Sequence, residues 1–131
     1  MDVKKVIDEL KKKYPGKNII INTPENPTEI VCEIEPGNIN PDRSIAIAIL
    51  DKNIKHYHRI AKEIYEVIKG ELEISKAGRS YYLHEGEKIA IYPSEYHIAK
   101  GNETWVKVTS TPAWNPEDQI PIEERTEIPS I

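Results

Sequence analysis

His56-Tyr57-His58-Arg59-Ile60-Ala61-Lys62-Glu63, followed by Gly70, is the most informative stretch of this chain. In a β-strand, residues two apart project from the same face. His56 and His58 therefore point the same way, about 7 Å apart along the strand. Two imidazoles on one face are a natural start for a transition-metal site. Glu63 opens a second strand-like run, in which Glu63, Tyr65 and Val67 share a face. If that strand lies beside or across from the first, Glu63 reaches the same ion. Two histidines and one carboxylate then form a three-ligand face with open positions. An isolated His-x-His is more often a surface pair. The added coincidences of Glu63, Gly70 and a later Gly86, Pro93 and His97 carry the metal reading.

His97 is the natural fourth ligand. It follows the strand-like run Lys88 to Tyr92 and the turn Pro93-Ser94-Glu95-Tyr96. The chain has four histidines, and the remaining one, His84, falls in the turn His84-Glu85-Gly86-Glu87 and reads as exposed and ordinary.

Outward from this segment the chain alternates short strands and turns. Asn18 to Asn22, Glu29 to Glu35 and Ser44 to Leu50 precede it as strand candidates, with Ile45, Ile47 and Ile49 on one face of the third and alanines on the other. Lys55 to Arg59, Glu63 to Lys69, Glu71 to Lys76, Ser80 to Leu83, Lys88 to Tyr92, Tyr96 to Ala99 and Thr104 to Ser110 continue the series. Many short strands at this spacing predict an all-β sandwich or barrel. Residues 2–14 read instead as a helix, with Val3, Val6, Ile7, Leu10 and Tyr14 on one stripe, Asp2 as N-cap and Pro15-Gly16 as the stop. Lys11, Lys12 and Lys13 suit the helix C-terminus and read as a solvated end rather than a phosphate site.

The expected organisation is one domain: a helical arm over 1–17, a β-barrel over 18–112 and a proline-rich, acidic tail over 113–131. The tail reads as an extended arm lying on the surface or on a partner subunit. A length of 131 residues with 38% hydrophobic residues supports one core without staples. The net charge of -4 argues against a general nucleic-acid binder. The one cysteine, Cys32, sits in an alternating run and reads as a buried core residue. The charged N-terminus and the lack of a long apolar run predict a cytoplasmic protein with no membrane span.

These residues resemble the cupin superfamily. Its first motif, G-x5-H-x-H-x3,4-E-x6-G, is matched from His56 through His58 and Glu63 to Gly70. Gly86, Pro93 and His97 resemble landmarks of its second motif, G-x5-P-x-G-x2-H-x3-N. Leu50 stands where the first glycine would be, Gly86 to Pro93 is one residue longer, Pro93 to His97 is one shorter, and the inner glycine is missing. The resemblance implies a double-stranded β-helix, or jelly-roll barrel, holding one divalent transition metal ion (Fe, Mn, Ni, Zn or Co) through His56, His58, Glu63 and His97. The exit Ser110 to Asp118 resembles small single-domain cupins of the mannose-6-phosphate-isomerase-like group. Such cupins commonly pair through their sheets, and both faces of Ser44 to Leu50 are apolar, so a homodimer is expected.

Three functions follow from such a site. The first is a metal-dependent isomerase or epimerase of a small sugar or sugar phosphate, with Tyr65, Tyr96 and Lys107 as candidate pocket residues. The second is an iron-dependent dioxygenase, and the third a non-catalytic module that binds a small molecule. A pocket acid or base besides the metal ligands would favour the isomerase. None stands out in the sequence.

Overall fold

The computed structural model describes residues 1–122. One helix, α1 (Val3–Lys13), precedes ten strands: β1 (Asn18–Asn22), β2 (Glu29–Glu35), β3 (Ser44–Lys52), β4 (His56–His58), β5 (Lys62–Lys69), β6 (Leu72–Lys76), β7 (Arg79–Leu83), β8 (Lys88–Ile91), β9 (His97–Thr111) and β10 (Gln119–Pro121). They form a single antiparallel sheet that curls on itself, as the all-β expectation requires.

Strand β9 organises the barrel. Its second half pairs with β3 on one side and β5 on the other, and its first half pairs with β6 and meets β4. The sequence suggested two strands here, 96–99 and 104–110, with a loop between. The structure instead shows one strand that turns a corner at Gly101-Asn102-Glu103, where Glu103 has φ +46°. His97 and Ala99 are buried at odd positions, whereas Thr104, Val106 and Ser110 are buried at even ones. One extra residue at the corner shifts the alternation, as a β-bulge does, and keeps His97 on the same side as Val106. The partner strands record the corner too, with register shifts between Leu50 and Lys52 and between Val67 and Lys69.

Two cores lie on the two faces of the sheet. Inside the barrel, Ala48, Leu50, Val67, Leu72, Ile74 and Val106 pack together. Outside it, Val6 and Leu10 of α1 cover Ile30, Cys32, Ile47, Ile49 and Trp105. Burying each such aliphatic side chain contributes about 1.5–3 kcal/mol. The second apolar face of β3 is thus met by the chain's own helix. Asp2 caps that helix, its carboxylate accepting from Lys5 N–H at 3.3 Å. Cys32 is fully buried in this outer core, as its alternating context suggests.

Beyond β9 the chain makes a 3-10 turn at Pro116–Asp118, capped by Asn115, and then adds β10 to the free side of β4. The tail's expected extended course therefore includes, among the described residues, a strand on the chain's own barrel. Its last stretch, 123–131, lies outside them. No helix among the described residues is long and apolar enough to cross a membrane.

Candidate metal centre

His56 and His58 are both buried on the inner face of β4, with their ring centroids 4.9 Å apart. β4 does not pair with β5. Instead His56 stands opposite His97 on β9, and their ring centroids are 4.2 Å apart. Glu63 reaches the cluster from the start of β5, which pairs with the far end of β9 at Ser110. One donor atom from each of His56, His58, Glu63 and His97 lies within 4.8 Å of all the others, and all four residues are buried.

The backbone fixes which ring nitrogens face inward. His97 Nδ1–H donates to the Glu95 carbonyl at 3.0 Å, and His56 Nδ1–H donates to the Ile54 carbonyl. A carbonyl can only accept, so each ring carries a proton on Nδ1, which leaves Nε2 as the nitrogen that can coordinate. His58 Nε2 lies 2.9 Å from Glu63 Oε1, and His97 Nε2 lies 3.6 Å from the same oxygen. These three buried atoms nevertheless make no hydrogen bond of ordinary geometry. Buried polar atoms without partners are costly. Convergent imidazole lone pairs around a carboxylate are the donor set of a divalent transition metal, and the residues fit such an ion.

The site's electrostatics agree with that reading. Burial lowers the His56 imidazole from 6.5 to about 4, and the neighbouring His97 adds to the effect, so the ring is neutral at pH 7. Burial alone would raise the Glu63 carboxyl. The His58 and His97 imidazoles facing it outweigh burial and hold it at about 2. A neutral His56 and an ionised Glu63 are the protonation states that metal ligation needs of them.

The approach to His97 departs from the expected motif spacing, and the structure shows how it is compensated. Ser94 takes the left-handed backbone, φ +70°, that a glycine would otherwise supply. Its N–H donates to the His58 carbonyl at 2.7 Å, and Glu95 Oε1 accepts from Tyr92 N–H at 2.7 Å. The turn is thereby tied to the ligand strand itself. Asn53, also buried, pins the other approach: its Oδ1 accepts from Ala99 N–H at 2.8 Å.

The three other candidates divide. Tyr65 is buried on the Glu63 face of β5, its ring centroid 6.1 Å from that of His97. Burial, with the Glu63 and Glu29 carboxylates adding to it, raises its phenol well above the ordinary value, so it is a proton-bearing group. Tyr96 is 42% exposed and stacks with Lys55, whose Nζ lies 5.1 Å from the ring. Lys107 does not join the site. It pairs with Ile47 and lies two residues from Trp105, both in the outer core, and so faces away from the barrel interior. His84 sits in its turn, largely exposed, 3.3 Å from Glu71. Two surface depressions of about 350 and 320 Å³ lie along α1 and contain none of the four donors.

Glu29 is the residue that sequence reasoning missed. It stands opposite Leu50, whose side chain is inside the barrel, and two residues from Val31, which packs on the same inner core. Asn22 Nδ2–H donates to its Oε1 at 3.2 Å. Burial raises its carboxyl pKa, opposed by the Asn22 amide and reinforced by the charge of Glu63. Glu29 is therefore a half-buried carboxylate on the inward-facing side of β2, close enough to Glu63 to feel its charge.

No protein family matches the sequence, and no curated protein does. Solved structures match it in fold. Pac13, a nucleoside dehydratase from Streptomyces, superposes with a TM-score of 0.71 at 12% identity, over 83% of this chain and 87% of its own. KdgF from Halomonas sp. superposes with a TM-score of 0.65 at 17% identity, over 74% and 89%. A variant of oxalate decarboxylase from Bacillus subtilis gives 0.69 at 12% identity, over 83% of this chain and 31% of that longer one. All three are cupin-fold proteins. This chain therefore has the cupin fold, with a buried three-histidine, one-glutamate donor set that fits a divalent metal ion.

Proposed function

We propose that this protein is a metal-dependent isomerase or epimerase that moves a proton on a small sugar or sugar phosphate. The observation that carries this reading is Glu29, an inward carboxylate outside the ligand set. An ion held by His56, His58, Glu63 and His97 would act as a Lewis acid on a substrate oxygen. The chain's own residues supply the proton traffic. Asn22 holds Oε1 of Glu29, which leaves Oε2 as the oxygen that gives and takes a proton. Its raised pKa brings the carboxyl closer to the working range of a general acid and base. Tyr65, kept protonated, can donate a hydrogen bond to a substrate oxygen but not remove a proton. Two fold relatives named for a nucleoside dehydratase and for an oxalate decarboxylase support a small, oxygen-rich substrate class.

The test is proton exchange. Metal-loaded protein is incubated in deuterated water with a panel of aldoses, ketoses and their phosphates, and deuterium next to the carbonyl is followed by NMR. Exchange is expected with the native chain. Glu29→Gln should slow it about 100-fold or more with metal content unchanged. Exchange that survives Glu29→Gln removes Glu29 from the chemistry. No exchange, but oxygen uptake that requires ferrous iron, would indicate the dioxygenase. Ligand-dependent stabilisation without turnover would indicate a binding module.

A further inference from the structure

The strand that carries two of the four donors is poorly held by the barrel. β4 is three residues long and meets β9 at one register pair, His56 with His97. On its other side it pairs with β10 along its whole length, Gln119 with His58, Ile120 with Tyr57 and Pro121 with His56. Ile122 N–H donates to the Lys55 carbonyl at 2.9 Å, which extends the contact past the start of β4.

At the other end, where Ser94 N–H already holds the His58 carbonyl, one carboxylate fastens the link that follows. Asp118 Oδ1 accepts from Arg59 N–H at 3.0 Å and from Ile60 N–H at 2.9 Å, and its Oδ2 accepts from Ala61 N–H at 3.0 Å. These three consecutive amides belong to the four-residue link between His58 and Glu63. A carboxylate accepting several backbone N–H groups makes charge-assisted bonds, stronger than neutral ones. Asp118 is itself placed by the 3-10 turn that Asn115 caps, its Oδ1 accepting from Glu117 N–H at 2.9 Å. Trp114, whose N–H donates to Ser44 Oγ at 2.8 Å, ties the start of this segment to β3. The chain thus returns to its own barrel and grips both the donor strand and the link to the third donor.

We infer that Asp118 is a positioning residue for the metal centre: by binding the Arg59, Ile60 and Ala61 amides it sets His56 and His58 relative to Glu63, without touching the ion. This rests on the metal-binding reading above. Groups that orient metal ligands from behind typically affect metal affinity 10–100-fold. Asparagine can keep the two bonds to Oδ1 but presents an N–H₂ to Ala61, so Asp118→Asn should fall between the native chain and Asp118→Ala.

The test titrates cobalt(II) into full-length metal-free protein and follows its visible absorption, with circular dichroism and a thermal melt of each metal-free variant alongside. The expected result is that Asp118→Ala binds cobalt about 10–100-fold more weakly with an altered absorption envelope, and that Asp118→Asn restores part of both. A residue that only stabilised the fold would lower the melting temperature and leave affinity and envelope of the folded protein unchanged; that outcome overturns the inference. If Asp118→Ala does not fold, Asp118→Asn decides: native affinity and envelope, or failure to fold, likewise overturn it. If the native chain takes up no cobalt, the metal-binding reading itself has failed, a result distinct from native-like binding by the variants.

Discussion

His56 on β4 is the register partner of His97 on β9. Forty residues of chain lie between them, yet an antiparallel pair brings their rings to 4.2 Å. That pairing explains how His97 enters the donor set although the turn before it departs from the expected spacing. The position is set by the ladder, and the turn adapts through Ser94.

Acid should weaken the metal-free chain in a defined order. The folded pKa of His56, about 4, lies below its ordinary 6.5, so between these values the unfolded chain binds more protons and stability falls as pH falls. The full effect is about 3 kcal/mol. Glu63, at about 2 against 4.5, adds stability that is present above pH 4.5 and lost as pH falls toward 2. Urea midpoints of chelator-treated protein should therefore drop from pH 7 to pH 4.5 and continue to drop below. A midpoint flat over pH 7 to 4.5 in Glu29→Gln, which lacks the opposing contribution of the Glu29 carboxyl, would contradict the buried, neutral His56.

Glu29 should show the opposite sign. Its folded pKa is raised, so its ionised form is disfavoured by the fold and costs stability above the ordinary carboxylate range. Glu29→Gln is expected to raise the urea midpoint at pH 7 and to leave it unchanged near pH 4. A gain in stability with a loss of proton exchange is the usual signature of a residue kept for function. Destabilisation at pH 7 would show that the carboxylate serves the fold.

Gly101→Ala tests the corner of β9. A Cβ there would lie 2.7 Å from Thr104 Cβ and 3.2 Å from the Leu50 carbonyl oxygen, and it would crowd Thr104 Oγ1. Thr104 cannot simply move, since its Oγ1–H donates to the Glu71 carbonyl at 2.6 Å. Overpacking of this kind costs about 1–3 kcal/mol. Because the corner sets the parity that points His97 inward, metal affinity should fall along with the denaturation midpoint. Unchanged values of both would remove the corner from the account.

Much of this was legible in the sequence. The period of Val3, Val6, Ile7 and Leu10 marks α1, the short apolar run marks β1, and alternation marks β2 and β3 closely. His56 and His58 could be placed on one face because strand geometry orients them, whereas Glu63 joined them only on the condition that its strand lay near theirs and through the motif resemblance. Other features were hidden for physical reasons. Gly101-Asn102-Glu103 has the composition of a loop, and only its neighbours reveal that the ladder continues through it. Alternation in β2 shows two faces but not which is inner. Because α1 takes the side with Ile30 and Cys32, the side bearing Glu29 turns into the barrel. Lys107 misled for a related reason, since the extra residue at the corner reverses which β9 positions point inward. Asp118 lies far along the chain from the amides it binds, and no local pattern links them.

The donor set His56, His58, Glu63 and His97 is expected to hold one divalent ion. Metal content of protein purified without added chelator, measured by inductively coupled plasma mass spectrometry, tests it most directly when the native chain is compared with His58→Ala and Glu63→Ala. About one transition-metal ion per native chain is expected, with most of it lost in both variants. Equal metal content in the native chain and the two variants, with all three folded, would contradict it.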